Sequence, residues 1–181
     1  MDQIGITNFQ IDMDTFSHGL WGSLAFGRRN AKSFWTAFFF GVGPDIFSFG
    51  LFFVSTWLGL AERPRFNGSE PPNASLIPSY VGHLYNITHS LLIFLVVFAI
   101  VWLIRKKPVW EMGAWALHIL FDIPTHSYAF FPTPFLWPLS EFKIDGHPWS
   151  DPIIFWPNIT ALAILYIYFF AWKRRKQKDP S

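Results

Sequence analysis

The chain has no cysteine in 181 residues. That absence removes disulfides, thiolate nucleophiles and every cysteine-ligated metal site. Any metal bound here must be held by histidine, carboxylate or water. Charge is also scarce. Asp, Glu, Lys and Arg together make 14% of the chain, against roughly 25% in soluble domains. The N-terminal residues do not read as a signal peptide either. They lack a basic region, and Asp12, Asp14, Ser17 and His18 interrupt the first apolar stretch. Targeting is therefore expected to come from membrane spans.

What the chain has in quantity is apolar length. Half of it is hydrophobic and a fifth is aromatic, and these residues fall in blocks. A helix needs about 20 apolar residues to cross the hydrocarbon core. Residues 34–60, 84–104, 109–131 and 153–172 meet that requirement. Residues 14–27 form a shorter helical segment, which either crosses or inserts only in part. The expectation is an all-α polytopic helix bundle of four long spans plus this short N-terminal helix, all in one integral membrane domain, 1–181. Residues 63–80 are rich in Pro, Asn, Ser and Gly and read as an exposed connection. Residues 132–152 are too apolar for a plain linker and read as a structured outer cap. The run from Phe38 to Phe40 is lipid-facing or packing surface. Trp137, Trp149 and Trp156 fit an outer interfacial belt, and Trp102, Trp110 and Trp172 an inner one.

The basic residues give an orientation. Arg28, Arg29 and Lys32 precede the first long span; Arg105, Lys106 and Lys107 follow the second; Lys173, Arg174, Arg175, Lys176 and Lys178 follow the last. If the helices alternate in direction, all of the 14 Lys and Arg except Arg63, Arg65 and Lys143 lie on one side. The positive-inside rule makes that side, and the C-terminus, cytoplasmic. The basic tail thus serves as a topology anchor, compatible with anionic lipid head groups, and the net charge of +2 does not indicate nucleic acid.

Ionisable residues within apolar spans are costly, by about 2.5–3.5 kcal/mol for Asp at a helix centre on insertion scales, and by default mark function. The spans hold Asp45, His89, His118, Asp122 and His126, and the short helix holds His18. Under the topology above, all six fall in the middle or outer half of the bilayer, so one outward-opening site could collect them. His118 and Asp122 are four apart and share one helix face, a good clip for a metal. His126 continues the stripe past Pro124. Nitrogen and oxygen ligands without sulfur suit zinc, manganese, iron or another divalent ion. A proton relay or a structural hydrogen-bond network is the other reading of the same residues.

At these positions the chain resembles the YdjM-like bacterial inner-membrane proteins, described as membrane-bound metal-dependent hydrolases. The matching pieces are Ser17-His18-Gly19, Gly43-Pro44-Asp45-Ile46, Thr88-His89-Ser90-Leu91, Leu117-His118-Ile119-Leu120-Phe121-Asp122 with Thr125, and Leu136-Trp137-Pro138-Leu139. They occur in family order and cover most of residues 17–140. Two pieces depart from the pattern. Phe47-Ser48 replaces a second carboxylate and a histidine, and Leu84-Tyr85 replaces His-Arg, with His83 adjacent. The departures imply a site with fewer ligands and room for one metal fewer. More remotely, His118-x-x-x-Asp122 followed by Pro and His is similar to the ligand pattern of zinc phospholipase C and P1 nuclease.

The resemblance implies a metal-dependent hydrolase of the inner membrane. His18, Asp45, His89, His118 and Asp122 would be ligands to a divalent metal, zinc foremost. His126 would be a ligand or the general acid–base. Ser90 and Thr125 would support the ligands, and Glu141 and Lys143 would meet a substrate head group. The substrate would be a lipid or phosphoester. Two non-enzymatic readings stand beside it: an intramembrane carrier of protons or metal ions, and a structural or regulatory protein whose metal pins helices. Small size and the lack of an inverted repeat count against the carrier.

Overall fold

The computed structural model describes residues 4–62 and 77–178, with side chains described for 15–62 and 77–171. The connection expected at 63–80 falls mostly outside these residues, as do the side chains of Asp12, Asp14, Trp172 and the basic tail. Six helices follow one another: α1 (Ile4–Phe26), α2 (Ala31–Trp57), α3 (Ser79–Thr88), α4 (Leu91–Arg105), α5 (Gly113–Thr125) and α6 (Pro152–Lys178), with a 3₁₀ turn at Trp110–Met112 leading into α5.

Local sequence explains most of the boundaries. Asn30 caps α2, its side chain accepting from the Ser33 amide at 2.9 Å. Ser90 does the same for α4, accepting from the Ile93 amide at 3.2 Å. Lys106 ends α4 in the left-handed conformation (φ 56°), two residues before Pro108, which cannot continue a helix. Pro124 occupies the last turn of α5, and His126 is already extended (φ −115°, ψ 136°).

These boundaries overturn the expected span count. Among the described residues, two helices are long and apolar enough to cross a membrane, Ala31–Trp57 and the Pro152–Ala171 part of α6. A third span exists only if α3 and α4, bent by 60° at their junction, are taken together. The expected continuous span at 84–104 is thus a broken helix, interrupted at His89 and Ser90. The expected span at 109–131 contains a helix of only 13 residues, about 20 Å long at 1.5 Å per residue, short of a hydrocarbon core of about 30 Å. Continuous hydropathy extends past Pro124 to Phe131, whereas the backbone leaves the helix at His126. The N-terminal helix is longer than the segment 14–27, at 23 residues. However, it carries Asn8, Gln10, Asp12, Asp14, Ser17 and His18 and is not among the spans. The architecture is therefore an all-α, membrane-associated bundle with two, or up to three, long apolar spans.

α2 is the organising helix. It packs against α1, α3 and α5, while α5 also lies against α1 and α4, and α6 touches α1. The α1–α2 crossing is close enough to require glycine. A Cβ on Gly41 would stand 2.5 Å from the His18 carbonyl oxygen and 3.0 Å from Gly19 Cα. Small residues at such crossings let backbones approach in a membrane, where apolar packing alone provides little drive. Behind α5, buried Phe94, Met112 and Ile119 form the apolar core with Leu91, Phe98 and Trp115 around them.

Two polar fastenings hold the frame. At the basic end, Glu111 is buried (6% exposed). It accepts from Arg29 and, at 2.6 Å, from the Ser33 hydroxyl. This ties the α1–α2 turn to the start of α5. Along α6, Trp21 Nε1 donates to Asn158 Oδ1 at 2.7 Å, Asn158 Nδ2 donates to Ser17 Oγ at 3.0 Å, and the Tyr166 hydroxyl donates to the Leu20 carbonyl at 3.0 Å.

Candidate metal centre

Four pieces of chain bring their polar residues to one point. α1 supplies His18, α2 supplies Asp45, the α3–α4 break supplies His89, and α5 supplies His118 and Asp122. His18, His89, His118 and Asp122 are at most 2% exposed, and Asp45 is partly buried. The helix break is itself accommodated by protein. The Leu91 amide donates to the Phe135 carbonyl at 3.0 Å, Trp115 Nε1 donates to the Thr88 carbonyl at 2.6 Å, and the Ser90 hydroxyl donates to the Trp137 carbonyl. Irregular backbone away from water is tolerated where protein satisfies its polar groups in this way.

The two central rings have defined orientations. His118 Nδ1 lies 2.7 Å from the Gly41 carbonyl, which can only accept, so in the neutral ring the proton sits on Nδ1 and Nε2 carries a lone pair. His89 Nδ1 lies 2.9 Å from Thr88 Oγ1 and 3.2 Å from the Tyr85 carbonyl. The Thr88 hydroxyl donates to the Leu84 carbonyl, so it too accepts from His89. Tyr85 stacks on the His89 ring at 3.8 Å. Both Nε2 atoms therefore present lone pairs, and they face each other at 3.0 Å.

Carboxylate oxygens surround that pair. Asp122 Oδ2 is 3.0 Å from His118 Nε2 and 3.3 Å from His89 Nε2. Asp45 Oδ1 is 3.4 Å from His89 Nε2 and 3.6 Å from His118 Nε2. Four atoms able to ligate a cation thus lie close together. Tetrahedral zinc with bonds of 2.0–2.2 Å has ligand–ligand edges of about 3.3–3.6 Å; the trio of His89, His118 and Asp122, with edges of 3.0–3.3 Å, comes near that range. The donor set fits a divalent metal.

The remaining residues surround this core. Thr15 Oγ1 donates to Asp45 Oδ2 at 2.7 Å and fixes the carboxylate's free oxygen. His18 Nε2 sits 2.9 Å from Asp122 Oδ1, its ring tilted against His118 with centroids 3.9 Å apart. His18 also forms a second ligand trio with Asp45 and His118, beside the trio of His89, His118 and Asp122. His126 is not in either trio. Its Nδ1 lies 3.7 Å from Asp122 Oδ1 and 3.3 Å from the Asp122 carbonyl, at the partly exposed end of α5.

The segment between α5 and α6 closes over this end. The Gly146 and His147 amides donate to the His126 and Pro124 carbonyls at 2.8 and 2.9 Å. Trp149, assigned by sequence to an interfacial belt, stands edge-on to His18 at 5.2 Å. Ser90 and Thr125 do not have the supporting role expected of them. Ser90 caps α4 and bonds Trp137, while the Thr125 hydroxyl donates to the Phe121 carbonyl of its own helix at 2.7 Å. Glu141 is exposed, and Lys143 meets Tyr128 through its backbone carbonyl. Gly41 and Thr15 contribute to the site without having been named by sequence, and Tyr85, Thr88 and Trp149 contribute in roles the sequence did not assign them. Thr88 lies within a motif and Gly41 two residues before one.

An all-helical membrane protein with a buried His/Asp cluster able to chelate a metal is the class that fold and site define. Within it, the chain belongs to the YdjM family: the model of that family, described as YdjM inner membrane protein, matches residues 13–179. No curated protein and no solved structure matches the chain.

Proposed function

We propose that the protein is a membrane-bound metal-dependent hydrolase whose metal is held by Asp45, His89, His118 and Asp122. The observation that carries this reading is the convergence of two imidazole lone pairs and two carboxylate oxygens at 3.0–3.6 Å. Zinc suits the set best, with manganese and iron as alternatives. Once bound, a divalent metal supplies Lewis-acid polarisation of the scissile group. Gly41 and Thr88 hold the rings by their Nδ1 atoms, as outer partners of metal-binding histidines do. His18 holds Asp122 and adds a third nitrogen to the cluster. His126 commits Nδ1 toward the Asp122 carbonyl, which leaves Nε2 to exchange a proton with water or leaving group as general acid–base. The substrate is a lipid or a phosphoester, with the phosphoester favoured by the likeness of His118-x-x-x-Asp122 to zinc phosphodiesterases. The positive-inside rule orients the C-terminus to the cytoplasm and the cap to the other face.

Metal analysis of the detergent-purified protein tests this. Wild type is expected to retain stoichiometric metal. His118→Ala and Asp122→Ala are expected to lose it, and His18→Ala is expected to weaken affinity by roughly 10–100-fold, the usual effect of an outer partner. A folded wild type that takes up no zinc, manganese or iron would overturn the reading.

A further inference from the structure

We propose that the substrate is a membrane lipid whose acyl chain lies in an apolar groove along α2, beside the metal cluster. This rests on the hydrolase reading and names its substrate class. The groove encloses about 440 Å³, within the roughly 300–1,000 Å³ of small-molecule clefts. Thr36, Phe39, Phe40, Gly43, Pro44 and Phe47 form one wall, and Thr88 and Trp115 close the other. The α2 residues follow one helical stripe, spaced at three and four. From Thr36 to Phe47 that stripe runs about 16 Å at 1.5 Å per residue, a length suited to an alkyl chain rather than a compact ring.

Three observations single out an acyl chain as the occupant. α2 is one of the two helices long and apolar enough to span, so what lies against it in the inner membrane is lipid. Phe39 and Phe47, on the rim, are 63% and 72% exposed, which leaves the groove open sideways. Gly43 leaves room in the wall: a Cβ there would meet nothing nearer than Phe47 at 4.0 Å. The groove also adjoins the cluster. Pro44 precedes Asp45, Thr88 precedes His89, and Thr88 Oγ1 lies 2.9 Å from His89 Nδ1. A chain lying along the stripe brings its ester end to the level of Asp45.

The test is photolabelling of the full-length protein in phospholipid vesicles doped with a diazirine-acyl phosphatidylethanolamine. Labelled peptides are mapped by mass spectrometry, and metal content is measured on the same samples. Labelling is expected to concentrate on residues 36–47, Thr88 and Trp115, and to be competed by excess unlabelled lipid. Gly43→Phe and Thr36→Trp, which fill the groove from its two ends, are each expected to cut that labelling at least fivefold while metal content stays at the wild-type level. Labelling no stronger than on the outward faces of α4 and α6, or undiminished in both variants, would overturn the proposal. So would a groove filled by a second copy of the chain, seen as a dimer that Thr36→Trp dissociates. Loss of metal from the wild type would instead defeat the hydrolase reading, and the labelling pattern is read independently of it.

Discussion

α2 and the membrane-crossing part of α6 have almost the same mean hydropathy, yet 33% of the α2 window is buried inside the protein and 6% of the α6 window. Equal apolarity has been put to different uses. α2 spends its surface on neighbours: Gly41 on α1, Ser33 on Glu111, Asp45 on the metal cluster and a stripe on the groove. α6 meets α1 through a few polar bonds and otherwise exposes Ile164, Ile167 and Tyr168. Hydropathy identifies what can sit in lipid. It does not distinguish a helix that builds a site from one that anchors.

That contrast can be broken by substitution, and the largest effect belongs to α2. Gly41→Leu places a Cβ and its branches inside the α1 backbone and disturbs the carbonyl that orients His118. A loss of about 3 kcal/mol or more is expected from overpacking at a backbone contact, together with loss of bound metal. Denaturant titration in detergent micelles, followed by circular dichroism, measures the first, and metal analysis the second. Wild-type stability in this variant would mean that α1 and α2 do not cross as described.

Next comes the fastening at the basic end. Ser33→Ala leaves buried Glu111 with one fewer donor, and about 1–3 kcal/mol of stability should go with it. Metal content should be unchanged, because the cluster is built further along α5. A drop in metal without a drop in stability would reverse that assignment.

The smallest effect belongs to α6. Asn158→Ala removes both the bond from Trp21 and the bond to Ser17, yet interhelical hydrogen bonds in membranes average only about 0.6 kcal/mol each. About 1 kcal/mol is expected by the same titration. If Asn158→Ala matched Gly41→Leu, α6 would be part of the frame and the contrast would fail.

The cluster was more legible in the sequence than the fold was. Asp45, His89, His118 and Asp122 stand out because an ionisable side chain in an apolar stretch needs a partner, and the partners are each other. The helix limits were obscured by the same apolar background. Nothing at Thr88-His89 is a helix breaker; the break exists because Phe135, Trp137 and Trp115 meet its backbone and side-chain groups, which are tertiary events. Pro124 did mark the end of α5, but hydropathy continues unbroken past it to Phe131. Gly41 is hidden for another reason: the need for glycine there comes from α1, more than twenty residues earlier.

The shortness of α5 has a consequence for the bilayer itself. Set against a hydrocarbon layer of about 30 Å, a wall about 20 Å tall would create a hydrophobic mismatch. The layer answers such a mismatch by thinning, at fractions of a kcal/mol per Å. Thinning along α5 would bring lipid head groups and water toward its end, where Asp122 and His126 sit. For the lipid hydrolase proposed above, such a dent would let its two reactants, one oily and one aqueous, meet at the same depth without a channel.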